Sequence, residues 1–119
     1  MRICILLLVS ILSCFKCLAQ DSTKQERFIV LYTTGENWDT TKQFYEQAYF
    51  KEHSAHLSAL RKAKRIQLGG RYSNTGMILI TAKDETEANE LITKDEAIKH
   101  KLFNTKIYPF DAFYKGCID

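Results

Sequence analysis

The chain has 119 residues, of which 45% are hydrophobic and 26% are charged, and its formal net charge is +3 at pH 7. This length allows a single hydrophobic core, and the composition is too apolar and aromatic for a disordered chain. Acidic and basic residues are nearly balanced and interspersed, so the protein lacks the basic field that holds a nucleic-acid backbone.

The first 19 residues predict a signal peptide. Arg2 precedes an almost wholly apolar run, residues 3–12, which is too short to cross about 30 Å of hydrocarbon as a helix. The small side chains of Cys17 and Ala19 precede Gln20, the pattern that a leader peptidase accepts. We therefore expect cleavage between Ala19 and Gln20, a secreted or periplasmic protein, and no membrane span in the mature chain.

A second interpretation of the leader is a lipoprotein, because residues 11–14 loosely resemble a lipoprotein cleavage site. Cys14 would then be acylated and would anchor the protein to a membrane. With cleavage after Ala19, Cys117 is the one cysteine left in the mature chain, so the sequence predicts a domain without an internal disulfide. Intermolecular pairing through Cys117 stays open.

The first half of the mature chain predicts a strand followed by a helix. Residues 20–27 form a polar, flexible lead-in, and residues 28–32 are continuously apolar, which is typical of a strand covered on both faces. Residues 40–43 (TTKQ) match a capping box and predict a helix to about Lys64. The predicted apolar stripe of this helix consists of Phe44, Ala48, Ala55, Leu57, Leu60 and Ala63.

The second half predicts a hairpin, a helix and a final strand. Residues 66–72 partly alternate and residues 77–80 are apolar, with turn-forming residues between them. Residues 84–87 (DETE) match a second capping box, and Asp95 starts a short helical turn to about Lys101. The last strand, residues 103–113, contains Pro109, which cannot donate to a strand ladder and so predicts an edge strand.

The resulting order β-α-β-β-α-β is the ferredoxin-like α+β pattern, in which the first and third strands lie in the centre of the sheet. Two helices cover one face, yet the central strands are apolar on both faces. The uncovered face would carry one of two alternating sets of the first strand, either Phe28, Val30 and Tyr32 or Ile29 and Leu31.

An apolar sheet face of this size needs a cover. We expect a second copy, packed sheet against sheet in a homodimer, because isologous dimers are the commonest assemblies. The alternative is that loops and the protein's own aromatic tail, Phe110, Phe113 and Tyr114, fold over the face.

Two histidines of the first helix are candidates for chemistry. His53 and His56 share a helical face with Tyr49 and Leu60, a pattern that fits packing as well as acid–base work. Two imidazoles on one face could also hold zinc, but no third ligand is placed to complete the site, so we expect no metal. Asp95 could orient His56 as a general base, or it could simply cap a helix.

Arg71 follows Gly69 and Gly70 at the end of the second predicted strand. Glycines there would let a ligand approach the backbone, and the guanidinium could hold an anionic group, although a β-bulge explains the glycines equally well. The sequence has no dinucleotide fingerprint and no serine-hydrolase motif, so we expect no cofactor.

Several segments, taken in order, resemble the YciI-like (YCII-related) family over about residues 28–114. They are residues 52–60 (EHSAHLSAL), 68–71 (LGGR), the strand 76–80, Asp95, and residues 108–110 (YPF). The resemblance implies a small ferredoxin-like dimer whose two sheets form an α+β barrel. It also implies a His–Asp active site, carried here by His56 and Asp95, and a chlorinated-aromatic dehydrochlorinase as a relative. Glu96 departs from the family, which has proline at that position.

Two functions are therefore expected. The first is a cofactor-free enzyme in which Asp95 orients His56 as general base or acid for a small molecule. Its binding pocket would be shaped by Arg71, His53, Tyr49 and Gly70. The second is a non-catalytic dimeric domain that binds a small ligand or serves a structural role. The distance between the His56 ring and the Asp95 carboxylate discriminates between them.

Overall fold

The computed structural model of the protein describes residues 24–116. The predicted leader, its cleavage site and Cys117 lie outside this range. The elements in chain order are β1 (Glu26–Thr34), a 3₁₀ turn (Phe44–Glu46), α1 (Phe50–Lys62), β2 (Ile66–Tyr72), β3 (Thr75–Ala82), α2 (Glu85–Thr93), α3 (Glu96–Lys99) and β4 (Phe103–Pro109). None of the helices within residues 24–116 is both long and apolar enough to cross a membrane.

The four strands form one antiparallel sheet in the order β2-β3-β1-β4. The prediction that the two most apolar strands are central is confirmed, as is the edge position of the strand that contains proline. Pro109 lies opposite Phe28 at the end of β4. The strand stops there rather than at residue 113, and the Phe110 N–H makes one further bond, 2.9 Å long, to the Arg27 carbonyl. The protein is thus an α+β fold built on a four-stranded antiparallel sheet.

One face of the sheet is covered by the helices and carries the hydrophobic core. Phe28 and Val30 of β1 lie on it with Ile80 of β3, and all three side chains are buried against Leu60 of α1 and Ile92 of α2. Directly paired residues of an antiparallel ladder share a face. The register therefore assigns the even-numbered set of β1 to the helices.

The opposite face, called the open face below, carries the odd-numbered set of β1. Its half-buried apolar members are Ile29, Leu31, Leu68, Met77 and Leu79. The last two aromatic residues of the tail do not cover it, since Phe113 is 90% exposed and Tyr114 is 87% exposed, whereas Phe110 is 39% exposed. The alternative in which these two side chains shield the protein's own sheet is therefore wrong.

The first helix begins later than the sequence predicted. Thr41 does not cap a helix, because its hydroxyl and its N–H both donate to Asp39 Oδ1, at 2.6 and 2.9 Å. Gln43 instead begins the short 3₁₀ turn, and its N–H donates to Glu46 Oε2. Tyr49 then adopts a left-handed backbone with φ of 66°, and α1 starts at the next residue.

The predicted stripe of α1 was partly wrong for the same reason. Phe44 precedes the helix and is 55% exposed. Ala55 and Ala63 are also exposed, while Leu57 is half-buried and Leu60 is buried. Alanine has little apolar area to bury, so its position in a helical pattern says little about which face packs.

The two later N-caps agree with the sequence, although Glu87 accepts the Lys83 N–H rather than the Asp84 N–H of the predicted capping box. Asp84 accepts the Glu87 N–H at 2.8 Å at the start of α2. Asp95 accepts the Ala97 N–H at 2.9 Å at the start of α3, which is shorter than predicted and ends at Lys99. These caps fix where the α2–α3 connection turns, and so fix the position of Asp95 under α1.

Candidate functional site

A buried histidine–aspartate pair joins α1 to α3. His53 Nδ1 lies 2.5 Å from Asp95 Oδ2. The His53 side chain is 11% exposed and that of Asp95 is 0% exposed. Because an ionised carboxylate can only accept, the proton of this bond lies on Nδ1 of the histidine. In the neutral ring, Nε2 is then unprotonated and carries the free lone pair.

The two side chains are held by the first turn of α1 and by the cap of α3. The His53 N–H donates to the carbonyl of Tyr49 at 3.0 Å, which makes it the first α-helical hydrogen bond at this end of α1. Asp95 accepts from His53 through one oxygen and from Ala97 N–H through the other. Both oxygens are therefore fixed, and the imidazole faces a carboxylate that cannot rotate freely.

His56 is not the partner of Asp95. Its Nε2 lies 2.7 Å from the backbone carbonyl of Leu91, and since a carbonyl only accepts, this nitrogen donates. His56 thus links α1 to α2 by a hydrogen bond, whereas the imidazole of His53 contacts Asp95. The expected pairing of His56 with Asp95 is corrected to a pairing of His53 with Asp95.

His53 Nε2 has no hydrogen-bond partner within residues 24–116, and aromatic rings surround the imidazole. The ring centroids lie 4.8 Å from Phe103, 5.4 Å from Tyr32 and 6.0 Å from Phe50. These rings replace water around most of the imidazole. Such a low-dielectric environment strengthens the interaction of His53 with Asp95.

Tyr32 belongs to this environment, although its sequence pattern predicted only that it lies on a sheet face. Its residue is 6% exposed, and its hydroxyl is buried without a hydrogen-bond partner in the described part of the chain. Burial raises the pKa of the Tyr32 phenol, and the negative charge of Asp95 raises it further. Tyr32 therefore remains a protonated hydroxyl throughout the physiological range.

Tyr49 lies at the other end of α3. Its ring stacks on His100 with centroids 3.9 Å apart and an interplanar angle of 1°. The stack lines a cleft of about 250 Å³ together with Asn37, Ala48 and Leu102. Asn37 Nδ2 donates to the His100 carbonyl at 2.9 Å, which holds one wall of the cleft. The predicted binding residue Tyr49 thus adjoins a cleft one helical turn from His53.

Arg71 and Gly70 lie apart from the pair, on the exposed edge strand β2. Arg71 pairs with Gly76 of β3, which in turn pairs with Tyr32 of β1. Two strand spacings, about 10 Å, therefore separate the backbones of Arg71 and Tyr32. No hydrogen bond or ion pair in the described range joins Arg71 to His53 or Asp95.

Glu96, which stands where the resembling family has proline, is directed away from the pair. Its carboxylate contacts Lys99 Nζ at 3.0 Å and His100 Nε2 at 3.4 Å. The hydrogen bond from the Lys99 ammonium lowers the pKa of the Glu96 carboxyl. The second carboxylate next to Asp95 in sequence thus forms its ion pair within α3, with Lys99, and not with His53.

The described residues contain no group of three or more His, Cys, Asp or Glu side chains arranged to hold a metal ion. Comparison with family models, with curated proteins and with solved structures found no match. A carboxylate that fixes one imidazole nitrogen and leaves the other unprotonated is an arrangement suited to proton transfer.

Proposed function

We propose that the protein is a cofactor-free enzyme that uses His53 as general base or acid, oriented by Asp95, on a small molecule. The observation that carries this proposal is the 2.5 Å contact between His53 Nδ1 and Asp95 Oδ2 inside an aromatic environment. Together with the resemblance to the YciI-like family, it favours a lyase- or dehydrochlorinase-like reaction. General acid–base assistance of this kind accelerates reactions by about 10²- to 10⁴-fold.

The chemistry needs only the residues of this site. In such an elimination, His53 Nε2 takes a proton from a substrate carbon, the C–H electron pair forms a C=C bond, and the leaving group departs as an anion with its own bonding pair. The positive charge that forms on the imidazole is stabilised by Asp95. The proton then leaves from the same nitrogen to product or solvent, which restores the starting state. Asp95 stays ionised throughout, since its role is to hold the Nδ1–H tautomer and to stabilise the imidazolium.

The two histidines of α1 provide a matched test. We expect His53→Gln to lower turnover by at least 10²-fold, in a screen of halogenated aromatic and enolisable carbonyl compounds, while His56→Gln retains it. Both substitutions remove an imidazole from the same helix, so a general loss of helix stability affects both. Equal activity of the wild type and His53→Gln would refute the proposed role.

A non-catalytic ligand-binding or structural domain is the second candidate. It is favoured by the fact that Asp95 also caps α3, so the pair already has a structural reason to exist. On this hypothesis, small molecules would stabilise the wild type in a thermal-shift screen without being converted. His53→Gln would then lower the melting temperature without changing any turnover, and Asp95→Ala would lower it further because it also removes the α3 cap.

We propose further that the fold is ferredoxin-like and that two copies pack through their open faces as an α+β barrel. The proposal is supported by the half-exposed apolar side chains of this face and by a tail that leaves them uncovered. We expect Leu31→Asp, which places a charge in the centre of the face, to convert a dimer to a monomer in sedimentation velocity. Ser58→Asp on the exposed side of α1 is the control. A monomeric wild type at high concentration would refute the dimer.

The leader supports a third proposal, export to the periplasm or the exterior with cleavage before Gln20. Mass spectrometry of the processed protein distinguishes this cleavage from acylation at Cys14. Loss of membrane association in Cys14→Ser would favour the lipoprotein. An unprocessed chain in the soluble cell fraction would refute both forms of export.

A further inference from the structure

The cleft at the C-terminal end of α3 has no role in the proposed acid–base chemistry. Its described lining consists of Asn37, Ala48, Tyr49, His100 and Leu102, and includes neither His53 nor Asp95. Its volume is about 250 Å³, whereas an apolar cavity of about 150 Å³ already holds benzene and drug-sized ligands occupy about 300–1,000 Å³. The cleft therefore has room for one six-membered ring with a small substituent.

The aromatic wall of the cleft is held in place before any ligand arrives. The rings of Tyr49 and His100 are parallel and their centroids lie 3.9 Å apart. Tyr49 has a left-handed backbone with φ of 66°, a conformation that asparagine and glycine adopt readily and bulky residues rarely do. A tyrosine at such a position is best explained by what its ring contacts. The residue remains 39% exposed beside the cleft, so part of it is free to meet a ligand.

The polar wall of the cleft is the side chain of Asn37. The Asn37 backbone N–H donates to the Lys101 carbonyl at 3.1 Å, and Nδ2 donates to the His100 carbonyl at 2.9 Å. A carboxamide has two N–H donors and one acceptor oxygen. The second N–H and Oδ1 of Asn37 have no partner within residues 24–116. Asn37 thus presents a donor and an acceptor side by side on a side chain that is already anchored.

The charges around the cleft favour an uncharged ligand. Lys101 Nζ pairs with Glu36 at 2.7 Å, and Lys99 Nζ pairs with Glu96 at 3.0 Å. The Glu96 carboxylate also lies 3.4 Å from His100 Nε2. Both lysines next to the cleft are therefore already paired with carboxylates, and the Glu96 carboxylate beside His100 repels an anion.

We propose that this cleft binds a small, uncharged aromatic primary amide. The ring of the ligand packs against the Tyr49–His100 stack and the apolar side chains of Ala48 and Leu102. Its carboxamide faces Asn37, donates to Oδ1 and accepts from the second N–H. A ligand without a donor leaves Asn37 Oδ1 unpaired, and a ligand without a ring loses the aromatic contact. This site goes beyond the proposed acid–base pair and does not depend on it.

The test is a titration of the ¹⁵N-labelled protein with benzamide, followed by backbone amide shifts in two-dimensional NMR. We expect shifts at Asn37 and residues 100–102, with a Kd of about 1–10 mM for so small a ligand. Acetophenone has the same shape but a methyl group in place of the NH₂ donor, and benzoate carries a charge. Both should bind about tenfold more weakly, which is the factor that corresponds to one net hydrogen bond.

Substitutions locate the ligand within the cleft. Tyr49→Asn removes the ring but suits the left-handed N-cap of α1, so we expect it to fold and to weaken benzamide binding about tenfold. Asn37→Ala should weaken binding by a similar factor. The matched control is Asn104→Ala, because Asn104 Nδ2 also donates to a backbone carbonyl, that of Thr34 at 3.4 Å, but does not line the cleft. His53→Gln should bind benzamide as the wild type does.

Several results would overturn the proposal. These are the absence of shifts with benzamide at 50 mM, shifts confined to residues outside the cleft, and equal affinity for acetophenone or benzoate. Unchanged binding in Tyr49→Asn or Asn37→Ala would also overturn it. The comparison of the three ligands needs no variant, so it decides the point even if Tyr49→Asn destabilises the fold. Loss of binding in His53→Gln would transfer the ligand to the acid–base pair and refute a separate site.

Discussion

Replacement of Asp95 separates the structural role of this carboxylate from its chemical role. In Asp95→Ala, both the His53 Nδ1–H and the Ala97 N–H lose their acceptor in a place where the Asp95 side chain is 0% exposed. Breaking a buried pair by removing one partner costs about 3–5 kcal/mol. We expect the free energy of unfolding to fall by about this amount, a large fraction of the total stability of a small domain.

Asparagine has nearly the same shape as aspartate, so Asp95→Asn keeps the packing but reverses the direction of the hydrogen bond with His53. Its carbonyl oxygen can still cap α3, while its NH₂ group faces His53 and requires Nδ1 to be an acceptor. The histidine then carries its proton on Nε2 and can no longer act as a base there. Because a charged hydrogen bond is exchanged for a neutral one, we expect a loss of only about 1 kcal/mol in stability.

The assay for stability is urea unfolding followed through the fluorescence of Trp38, which packs 5.7 Å from Phe103 next to the site. The assay for the tautomer is ¹⁵N NMR of the imidazole nitrogens of His53. Two outcomes would refute the reasoning. One is a cost below about 1 kcal/mol for Asp95→Ala, where a buried pair should cost several times more. The other is an Asp95→Asn variant that still carries its imidazole proton on Nδ1.

Two further predictions concern other parts of the fold. A Cβ at Gly35 would lie 2.2 Å from the Lys101 carbonyl oxygen, while a Cβ at Gly70 would meet nothing within 4 Å. We expect Gly35→Ala to destabilise the protein by about 2 kcal/mol or more and Gly70→Ala to be nearly neutral in urea unfolding; similar midpoints would contradict this. A hydrogen bond from the Lys83 N–H lowers the pKa of the Glu87 carboxyl below its ordinary 4.5. The stabilisation that the ionised Glu87 carboxylate provides is therefore present above pH 4.5 and is lost as pH falls through the lowered pKa. Glu87→Gln should therefore be less stable than the wild type near neutral pH and equally stable in acid, and a constant difference across pH would count against it.

The strand order and the helix caps could be predicted from the sequence because local patterns determine them. The run from residue 28 to 32 is apolar at every position, and this identifies a central strand wherever it lies in the chain. Pro109 lacks a donor, so it restricts its strand to an edge. Asp84 and Asp95 cap helices through bonds to residues two or three positions later. None of these features depends on distant parts of the chain.

The segment between β1 and α1 could not be predicted in the same way. The TTKQ sequence at residues 40–43 matches a helix cap. In the structure, however, Thr41 donates to the Asp39 carboxylate, and the Gln47 side chain donates to the Asp39 carbonyl. A turn that is closed by side-chain bonds between residues two to eight positions apart competes directly with helix initiation. The result is a short 3₁₀ turn, a left-handed residue at Tyr49, and a helix whose N-cap is Tyr49 rather than Thr40, nine residues later than predicted.

The choice between the two histidines depended on the orientation of α1, for which the sequence held a usable signal. Successive residues of an α-helix are rotated by about 100°. Taking His53 as zero, Leu57 and Leu60 lie at about 40° and −20°, so the centre of the leucine stripe is within about 10° of His53 and about 70° from His56. His53 therefore points into the core, as its burial shows, and His56 lies at the margin where α2 passes. Including the alanines in the stripe obscured this, because Ala55 lies on the opposite side of the helix. The contact between Asp95 and His53 could not be predicted from α1 alone. It also requires the turn between α2 and α3 to place Asp95, the N-cap of α3, beneath the first turn of α1.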